Sequence, residues 1–344
     1  MQKSFLLLAA SILISCGDQK AQTAETSGSS AEKEVRQIVI AFGSCNKEDQ
    51  PQPMWEEILV NDPDVWIWLG DNIYGDSRDP MVLREKYDLQ SDNPGYQKLK
   101  NRASIIGTWD DHDYGVNDGG KNNPIKEQSQ DEFLRFLEVD SSDALWTREG
   151  VYSSHDFTVG QKAVKVILLD SRYHRDSIAR VDGVYLKNDS GTVLGDEQWE
   201  WLQSQLVNSR ADVNIIGNGI QFISSEHRFE KWANFPNEQK RLYQLIADSG
   251  AKGVILISGD RHVAEVSERS IEGLTYPLRD VTASGLTHSY EEAGDEPNQF
   301  RISPLIGQKN YATFLVRDLG KNTEVVVTLR GLQSNVFYTT TWTY

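Results

Sequence analysis

Side chains that can bind metal ions or transfer protons follow several apolar stretches of this chain. They are a thiol, a phenol, carboxylates and imidazoles, namely Cys45, Asp71, Tyr74, Asp110, Asp111, His112, Asp260 and His262. Because one carboxylate can bridge two cations, this set is large enough for a dinuclear site. Two cations in a cleft activate a water molecule and hold the entering and leaving oxygens of a phosphoester. Hydrolysis of such esters is the chemistry that this set of residues favours.

The donor atoms also indicate which metals such a site would select. A phenolate from Tyr74 and a thiolate from Cys45, together with carboxylates, form an anionic donor set that favours Fe(III) over Zn(II). A neighbouring site made of oxygen ligands suits Ca(II), Mg(II) or Mn(II). We therefore expect Fe(III) together with one or more Ca(II) ions, with Mg(II), Mn(II) and Zn(II) as alternatives.

Apolar runs that read as strands must position these groups. The run Val65–Leu69 predicts a buried strand, and it stops at Gly70 and Asp71. Other predicted strands that stop at polar clusters are residues 37–42, 104–109, 163–169, 214–217 and 253–258. Predicted helices alternate with them at 54–59, 81–99 with a break near 93–95, 127–137, 195–206 and 238–246, and strands follow at 313–316 and 325–329. Since ligands bind beyond the carboxyl ends of strands in α/β sheets, we expect one shared site.

Composition limits the classes of protein that this chain can represent. Its 344 residues, 25% of them charged and 38% hydrophobic, suffice for one large domain or two modest ones. Residues 37–344 contain no internal repeat and no clear boundary, and we treat them as one catalytic domain. A formal charge of −16 argues against a surface that binds nucleic acid. An anionic substrate would need metal ions or local arginines to attract it.

The amino terminus predicts an exported lipoprotein. Residues 1–16 contain a mostly apolar run that is too short to span a bilayer, and it ends in a Leu-Ile-Ser-Cys sequence similar to a bacterial lipobox. Cys16 would then carry the lipid that anchors the protein to a membrane; an ordinary signal peptide is the alternative. Residues 17–36 predict a flexible tether, and Gly17 favours the outer membrane by analogy. Cys45 remains as a single thiol, which excludes a disulfide framework.

Motifs along the chain resemble those of the PhoD-like alkaline phosphatases, which belong to the calcineurin-like metallophosphoesterase superfamily. The resemblance covers about residues 37–340. It implies an α/β fold in which a two-sheet β-sandwich is flanked by helices, with the metal site at the C-terminal ends of the strands. It also implies hydrolysis of phosphomonoesters or phosphodiesters outside the cytoplasm. We expect attack by a metal-bound hydroxide without a covalent phosphoenzyme, because no strand end offers a serine or threonine in a known nucleophile setting. The motifs are Gly43-Ser44-Cys45, Gly70-Asp71-x-x-Tyr74, Trp109-Asp110-Asp111-His112-Asp113 and Gly259-Asp260-Arg261-His262.

The same resemblance implies metal ligands. Asp71 would bridge the two metals, Cys45 would replace the histidine of the superfamily's first motif, and Tyr74 would bind iron as a phenolate. A buried structural thiol and a packed tyrosine are the alternatives for Cys45 and Tyr74. The other implied ligands are Asp111, Asn117, Asp260 and His262.

Catalytic roles follow from the resemblance in the same way. His112 would donate a proton to a phosphoryl oxygen or to the leaving group, and Asp113 would orient it through the other ring nitrogen. Arg172 would bind phosphate through its guanidinium fork, unless it forms an ordinary ion pair with an aspartate. The role of Asp110 stays open: it is either a metal ligand or a residue that holds a ligand in place.

One part of the superfamily pattern is missing here. Its fourth motif supplies a histidine ligand, whereas this chain has Asn218 and Gln221 in that region. The identity of the second metal is therefore open. His227 follows shortly after and is a candidate for substrate contact.

Two further functions stay open on the sequence. The same fold could hydrolyse another ester, such as a phospholipid, a cyclic nucleotide, a phosphotriester or a lactone. Loops at 76–96, 119–126, 226–236 and 287–306 would then select the substrate. Alternatively, the protein could be a non-catalytic surface lipoprotein that binds metal. The sequence does not predict an oligomeric state.

Overall fold

Two six-stranded sheets share one apolar core in the computed structural model of the protein, which describes residues 36–294 and 296–344. The predicted signal peptide, 1–16, and residues 17–35 of the predicted tether lie outside the described residues. The strands are β1 Gln37–Gly43, β2 Val65–Leu69, β3 Ser104–Thr108, β4 Ser153–Val159, β5 Lys162–Leu168, β6 Arg180–Val181, β7 Val184–Tyr185, β8 Val213–Asn218, β9 Val254–Ser258, β10 Ala264–Arg269, β11 Leu278–Ala283, β12 Tyr311–Asp318, β13 Thr323–Arg330 and β14 Val336–Thr343.

Seven α-helices are found in the described ranges. They are α1 Met54–Val60, α2 Pro80–Ser91, α3 Pro94–Lys100, α4 Asp111–Tyr114, α5 Lys126–Phe136, α6 Gly195–Val207 and α7 Pro236–Ser249. Among the residues that the structure describes, no helix combines the length and the apolar character needed to cross a membrane.

The strand order groups the parallel strands together, at one side of the first sheet and in the centre of the second. One sheet has the order β14-β13-β12-β1-β2-β3, the other β10-β11-β9-β8-β5-β4, and β6 with β7 forms a separate hairpin. Strands β1, β2 and β3 are parallel to one another, as are β5, β8, β9 and β11. The carboxyl ends of each parallel set therefore lie along one edge, where ligands bind in such sheets.

Strand β2 shows how the sequence fixes the layers. Val65, Ile67 and Leu69 belong to the core between the sheets, whereas Trp66 and Trp68 pack with helical residues on the outer face. All five are buried, because a strand alternates its side chains between two covered faces. Complete burial of each aliphatic side chain contributes about 1.5–3 kcal/mol. The predicted fold class, two sheets flanked by helices, is confirmed.

Local features explain where the structure follows the predicted elements and where it departs from them. The break predicted near 93–95 separates α2 from α3, because Asn93 caps α3 by accepting hydrogen bonds from the Gly95 and Tyr96 backbone N–H groups at 2.9 and 3.1 Å. Pro94 then occupies the first turn. The strands β4, β6, β7, β10, β11 and β14 were not predicted. Strand β14 lies at a sheet edge and has one buried residue, so it lacks a continuous apolar run.

Glycines allow two strand ends to approach the side chain of Asp110. Gly70, after β2, has φ +87°, and a Cβ atom there would lie 2.3 Å from the Cβ atom of Asp110. A Cβ atom on Gly219, after β8, would lie 2.1 Å from the Oδ1 atom of Asp110. Neither position can hold a larger residue without moving Asp110.

Candidate metal centre

Four aspartates from three strand ends of the two sheets meet in one cluster, and all of them except the half-buried Asp260 are buried. Asp71 follows β2, Asp110 and Asp111 follow β3, and Asp260 follows β9. One carboxylate oxygen from each of the four lies within 4.8 Å of one oxygen from each of the others. Asp71 and Asp110 are fully buried. The sequence prediction that separate strand ends supply one acidic cluster is therefore confirmed.

A second group of donors shares Asp71 with this cluster. The Cys45 thiol donates a hydrogen bond to Asp71 Oδ2 at 3.4 Å, and the Tyr74 hydroxyl lies at the same distance from that oxygen. The Tyr74 hydroxyl is also 3.2 Å from His262 Nε2. Sulfur, phenol and imidazole donors thus lie on one side of Asp71. Carboxylates lie on the other, where the His112 imidazole is also within 4.8 Å of Asp71 and Asp111 oxygens.

The backbone of this site is held in an uncommon conformation. Cys45, Asp71, Asp260 and His262 have φ values of 60, 50, 64 and 56°, in the left-handed region. Each costs roughly 1–3 kcal/mol, and such residues persist where the surrounding structure holds them in place. A backbone hydrogen bond helps to hold two of these loops together, from the Asn46 N–H to the Asp71 carbonyl at 2.8 Å. Four of the eleven non-glycine residues with positive φ in the described ranges are thus candidate ligands.

Burial and mutual repulsion make the metal-free cluster electrostatically unfavourable. Burial, reinforced by the charge of Asp111, raises the pKa of Asp71 well above the usual range. Burial and the charge of Asp110 do the same for the pKa of Asp260. Burial, partly offset by Arg172, raises the pKa of Asp110 to about 7. Asp111 is the exception, because Arg172 and His112 outweigh its burial and lower its pKa to about 2. The other three carboxylates ionise readily only when cations compensate them.

Unpartnered oxygens provide a second test of whether cations fit. Asp71 Oδ1, Asp110 Oδ2 and Asp111 Oδ1 are buried and have no hydrogen-bond partner among the described residues. A buried polar atom without a partner costs about 1–3 kcal/mol. The donor set, the repulsion and these oxygens all fit two neighbouring cations that share Asp71. Cys45, Tyr74 and His262 would hold one of them, and Asp110, Asp111 and Asp260 would hold the other.

The structure corrects the predicted partner of His112. His112 Nδ1 lies 2.7 Å from Asp76 Oδ1, and its ring packs 4.1 Å from the ring of Tyr74. Asp113 instead accepts hydrogen bonds from the Asp110 and Asn72 backbone N–H groups at 3.1 and 2.9 Å. The prediction that Asp113 orients His112 is wrong, because α4 begins at Asp111 and turns Asp113 back towards its own amino end.

Arg172 also differs from its predicted role. Its Nε atom donates to Asp110 Oδ1 at 2.6 Å and its Nη1 atom donates to Glu230 Oε2 at 2.7 Å, and its side chain is 1% exposed. The phosphate-fork prediction is therefore wrong, and the ion-pair alternative is correct. Arg175 joins the same network, 3.0 Å from Glu230 Oε1. Paired charges satisfy one another at a place where an unpaired charge would be costly.

Other predicted residues divide between the cleft and the core. Asn117 is exposed at the cleft and donates to Asp118 Oδ2 at 2.7 Å, so its role as a ligand stays a prediction. Asn218 accepts a hydrogen bond from Trp232 Nε1 at 3.1 Å and donates to a backbone carbonyl at 2.9 Å, which fixes a turn. Gln221 donates to Glu265 at 2.7 Å, away from the cluster.

Several residues near the site were not predicted from the sequence. Besides Asp76, Glu48 accepts a hydrogen bond from the Tyr74 backbone N–H at 2.9 Å and pairs with Lys86. The backbone N–H of Asp118 donates to Asp111 Oδ2 at 2.6 Å. Asp76 belongs to the same polar stretch as Asp71, which was a usable signal. Glu48 and Asp118 are ordinary loop acids in the sequence and gave none.

A cleft of about 380 Å³ opens onto the aspartate cluster. Its walls include Asp111, His112, Asp260 and His262 beside the candidate cations, and Arg180 and Arg228 further out. The volume is typical of a site for a small molecule.

A cluster of candidate metal ligands at the strand ends of a two-sheet sandwich is the arrangement expected of a metallophosphoesterase. Residues 40–287 match the sequence model of the family described as "PhoD-like phosphatase". The chain therefore belongs to the PhoD-like phosphatase family, and the resemblance noted from its motifs is confirmed.

Individual relatives agree with this assignment. The chain is 24% identical over 282 residues to alkaline phosphatase D of Bacillus subtilis (strain 168), a match that covers 69% of this chain and 48% of that protein. It thus spans about half the length of this curated relative. Among solved structures, "Structure of PhoD" matches with a TM-score of 0.68 at 18% identity, over 90% of this chain and 70% of that one. A dimetal phosphatase from Danio rerio matches with a TM-score of 0.53 at 12% identity, over 90% and 99% of the two chains.

Metal binding should release protons and strengthen as pH rises. Below pH 7 Asp110 carries a proton that a cation must displace, since its pKa is raised to about 7. Burial lowers the pKa of His262 to about 4, so this imidazole is already neutral between pH 5 and 7 and releases no proton. We expect the affinity for Ca(II) to rise by up to about tenfold per pH unit, for each proton released, between pH 5 and 7. Titration calorimetry in buffers of different ionisation enthalpy measures both the affinity and the number of protons released. A Ca(II) affinity that is constant between pH 5 and 7 would contradict this prediction.

Proposed function

We propose that this protein is a metal-dependent phosphoric ester hydrolase that acts on phosphodiesters and phosphomonoesters. The observation that carries the proposal is the sharing of Asp71 between two groups of metal donors at the floor of one cleft. Membership of the PhoD-like phosphatase family and similarity to an enzyme named alkaline phosphatase D support it. Two bound cations would supply an activated water and a clamp for the phosphoryl oxygens.

The two sides of Asp71 favour different metals. The thiol of Cys45 and the phenol of Tyr74 both approach Asp71 Oδ2, and thiolate with phenolate favours Fe(III). The other side offers carboxylate oxygens from Asp110, Asp111 and Asp260, which suit Ca(II). We therefore assign Fe(III) to the first side and Ca(II) to the second.

His112 is placed to transfer a proton to the substrate. Burial alone would lower the pKa of His112, but the carboxylates of Asp71, Asp76 and Asp111 raise it to about 11. When cations neutralise the cluster, Asp76 remains as the carboxylate bound to Nδ1. The imidazolium lines the cleft and would donate a proton to the leaving group or to a phosphoryl oxygen. Asp76 would hold the ring in the required orientation.

The place of action belongs to the same proposal. The lipobox-like sequence that ends at Cys16 supports export and a lipid anchor, with the catalytic domain on an extracytoplasmic side of the membrane. The substrate would then be a small phosphoester that reaches the protein outside the cytoplasm.

Replacement of Asp71 by Asn should remove both metal binding and activity. Asp71 is the ligand that both donor groups share, so its loss should lower hydrolysis of bis(p-nitrophenyl) phosphate and p-nitrophenyl phosphate by at least about 100-fold. Elemental analysis of the purified variant should show loss of iron. We expect the wild-type protein to absorb visible light, because Fe(III) bound to phenolate or thiolate does so. This absorption band should disappear in the variant.

A matched control for this experiment is Asp92→Asn. Asp92 is an exposed aspartate at the end of α2, away from the cluster, and its replacement should leave iron content and both rates unchanged. Tyr74→Phe should shift or bleach the visible band. A colourless wild-type protein with full activity would remove iron from the proposal, and full activity in Asp71→Asn would refute it.

Replacement of Asp76 by Asn should affect proton transfer. Loss of this carboxylate lowers the pKa of His112, so the alkaline limb of the kcat profile should move to lower pH. We expect kcat to fall by about 10- to 100-fold, since Asp76 orients the ring and does not touch the reacting atoms. The exposed Asp131 on α5 provides the control, Asp131→Asn. An unchanged rate and pH profile in Asp76→Asn would exclude this role.

A further inference from the structure

The outer wall of the cleft carries two arginines that the catalytic chemistry does not use. Arg180 begins the β6–β7 hairpin and Arg228 lies in the loop after β8, and both line the cleft that contains Asp260 and His262. Both are exposed, and within residues 36–294 and 296–344 neither forms an ion pair or a hydrogen bond through its guanidinium group. By contrast, Arg261 in the same cleft is paired with Glu296 at 2.5 Å.

Aromatic rings hold the two guanidinium groups in place. Arg180 lies 5.0 Å from the ring centroid of Tyr185, and Arg228 lies 5.1 Å from that of Phe229. Such stacking orients an arginine through its face and leaves its N–H donors free. The donors of both side chains are therefore available to an anion in the cleft.

The hairpin that carries Arg180 is connected to the metal centre. The Tyr185 hydroxyl donates a hydrogen bond to Asp118 Oδ2. The backbone N–H of Asp118 donates in turn to Asp111 Oδ2 at 2.6 Å. The Asn234 amide holds the other side of the hairpin, through the Tyr185 carbonyl at 3.2 Å. Arg180 is thus fixed relative to a candidate metal ligand.

The acidic side chains of the cleft interact with groups other than Arg180 and Arg228. Glu230 is paired with Arg172 and Arg175, at 2.7 and 3.0 Å. Asp111 and Asp260 belong to the cluster that cations would neutralise. The Asp118 carboxylate accepts hydrogen bonds from the Tyr185 hydroxyl and from the Asn117 amide. Among the described residues, Arg180 and Arg228 are thus the arginine side chains of this cleft that have no ion-pair partner, in a protein with a net charge of −16.

We propose that Arg180 and Arg228 form a subsite for a second phosphate group of the substrate. The preferred substrates would then be phosphoesters that carry a further phosphate besides the one at the metal centre. This inference rests on the proposed function for the position of the reacting phosphate. Guanidinium groups match phosphate geometry and are favoured in such subsites.

Binding by matched ligands tests the subsite without relying on turnover. We would compare thymidine 3′,5′-bisphosphate with thymidine 5′-monophosphate on the metal-loaded protein by titration calorimetry. The bisphosphate should bind on the order of tenfold more tightly, since charge-assisted hydrogen bonds at a partly exposed site are of modest strength. The preference should decrease as salt is added. In the double variant Arg180→Gln/Arg228→Gln the ratio of the two affinities should fall to near one.

The control is Arg210→Gln, an exposed arginine before the amino end of β8, which should keep the wild-type ratio. Equal affinities for the two ligands in the wild type, or a preference that survives in the double variant, would overturn the subsite. Hydrolysis of the 5′-(p-nitrophenyl) esters of the same two nucleotides separates the two proposals. A binding preference without any hydrolysis would support the subsite and refute the proposed function.

Discussion

The mutual repulsion of buried carboxylates around Asp71 is the constraint on which the rest of the site depends. Asp71 takes part in every group of candidate metal ligands found in the described residues. Its burial and that of Asp260 would destabilise the fold if both carboxylates were charged and no cation compensated them. The same arrangement gives a high charge density at the floor of the cleft, where two cations can bind. Stability and function are thus coupled through the metals.

The surrounding structure supplies what this constraint requires. Parallel strands of both sheets end along the site, and Gly70 and Gly219 let two of those ends come close to Asp110. Arg172 pairs with Asp110 from the buried side, and Glu230 balances Arg172 in turn. The candidate ligand Asp110 is therefore held by an arginine that is itself paired with a carboxylate. Left-handed backbone at Cys45, Asp71, Asp260 and His262 is the remaining cost.

The sequence predicted the elements of the site better than their partners. Apolar runs that end in polar residues identify strand ends, and parallel strands bring those ends together, so the cluster at Asp71 could be predicted. The partner of His112 could not, because Asp76 and Asp113 stand on either side of it in the chain and only the turn of α4 decides between them. Arg172 was ambiguous for a similar reason, since a guanidinium group suits phosphate and carboxylate equally. Exposed edge strands such as β14 lack the periodic signal altogether.

Anomalous X-ray diffraction tests most directly whether Asp71 is shared by two cations. Crystals of the iron-loaded protein grown with calcium, measured on both sides of the iron absorption edge, would locate each ion and its ligands. The account predicts iron bound to Cys45, Tyr74 and Asp71, and a second cation on the side of Asp110, Asp111 and Asp260 that is also bound to Asp71. A fully loaded protein in which the Asp71 carboxylate binds one ion only, or none, would contradict it.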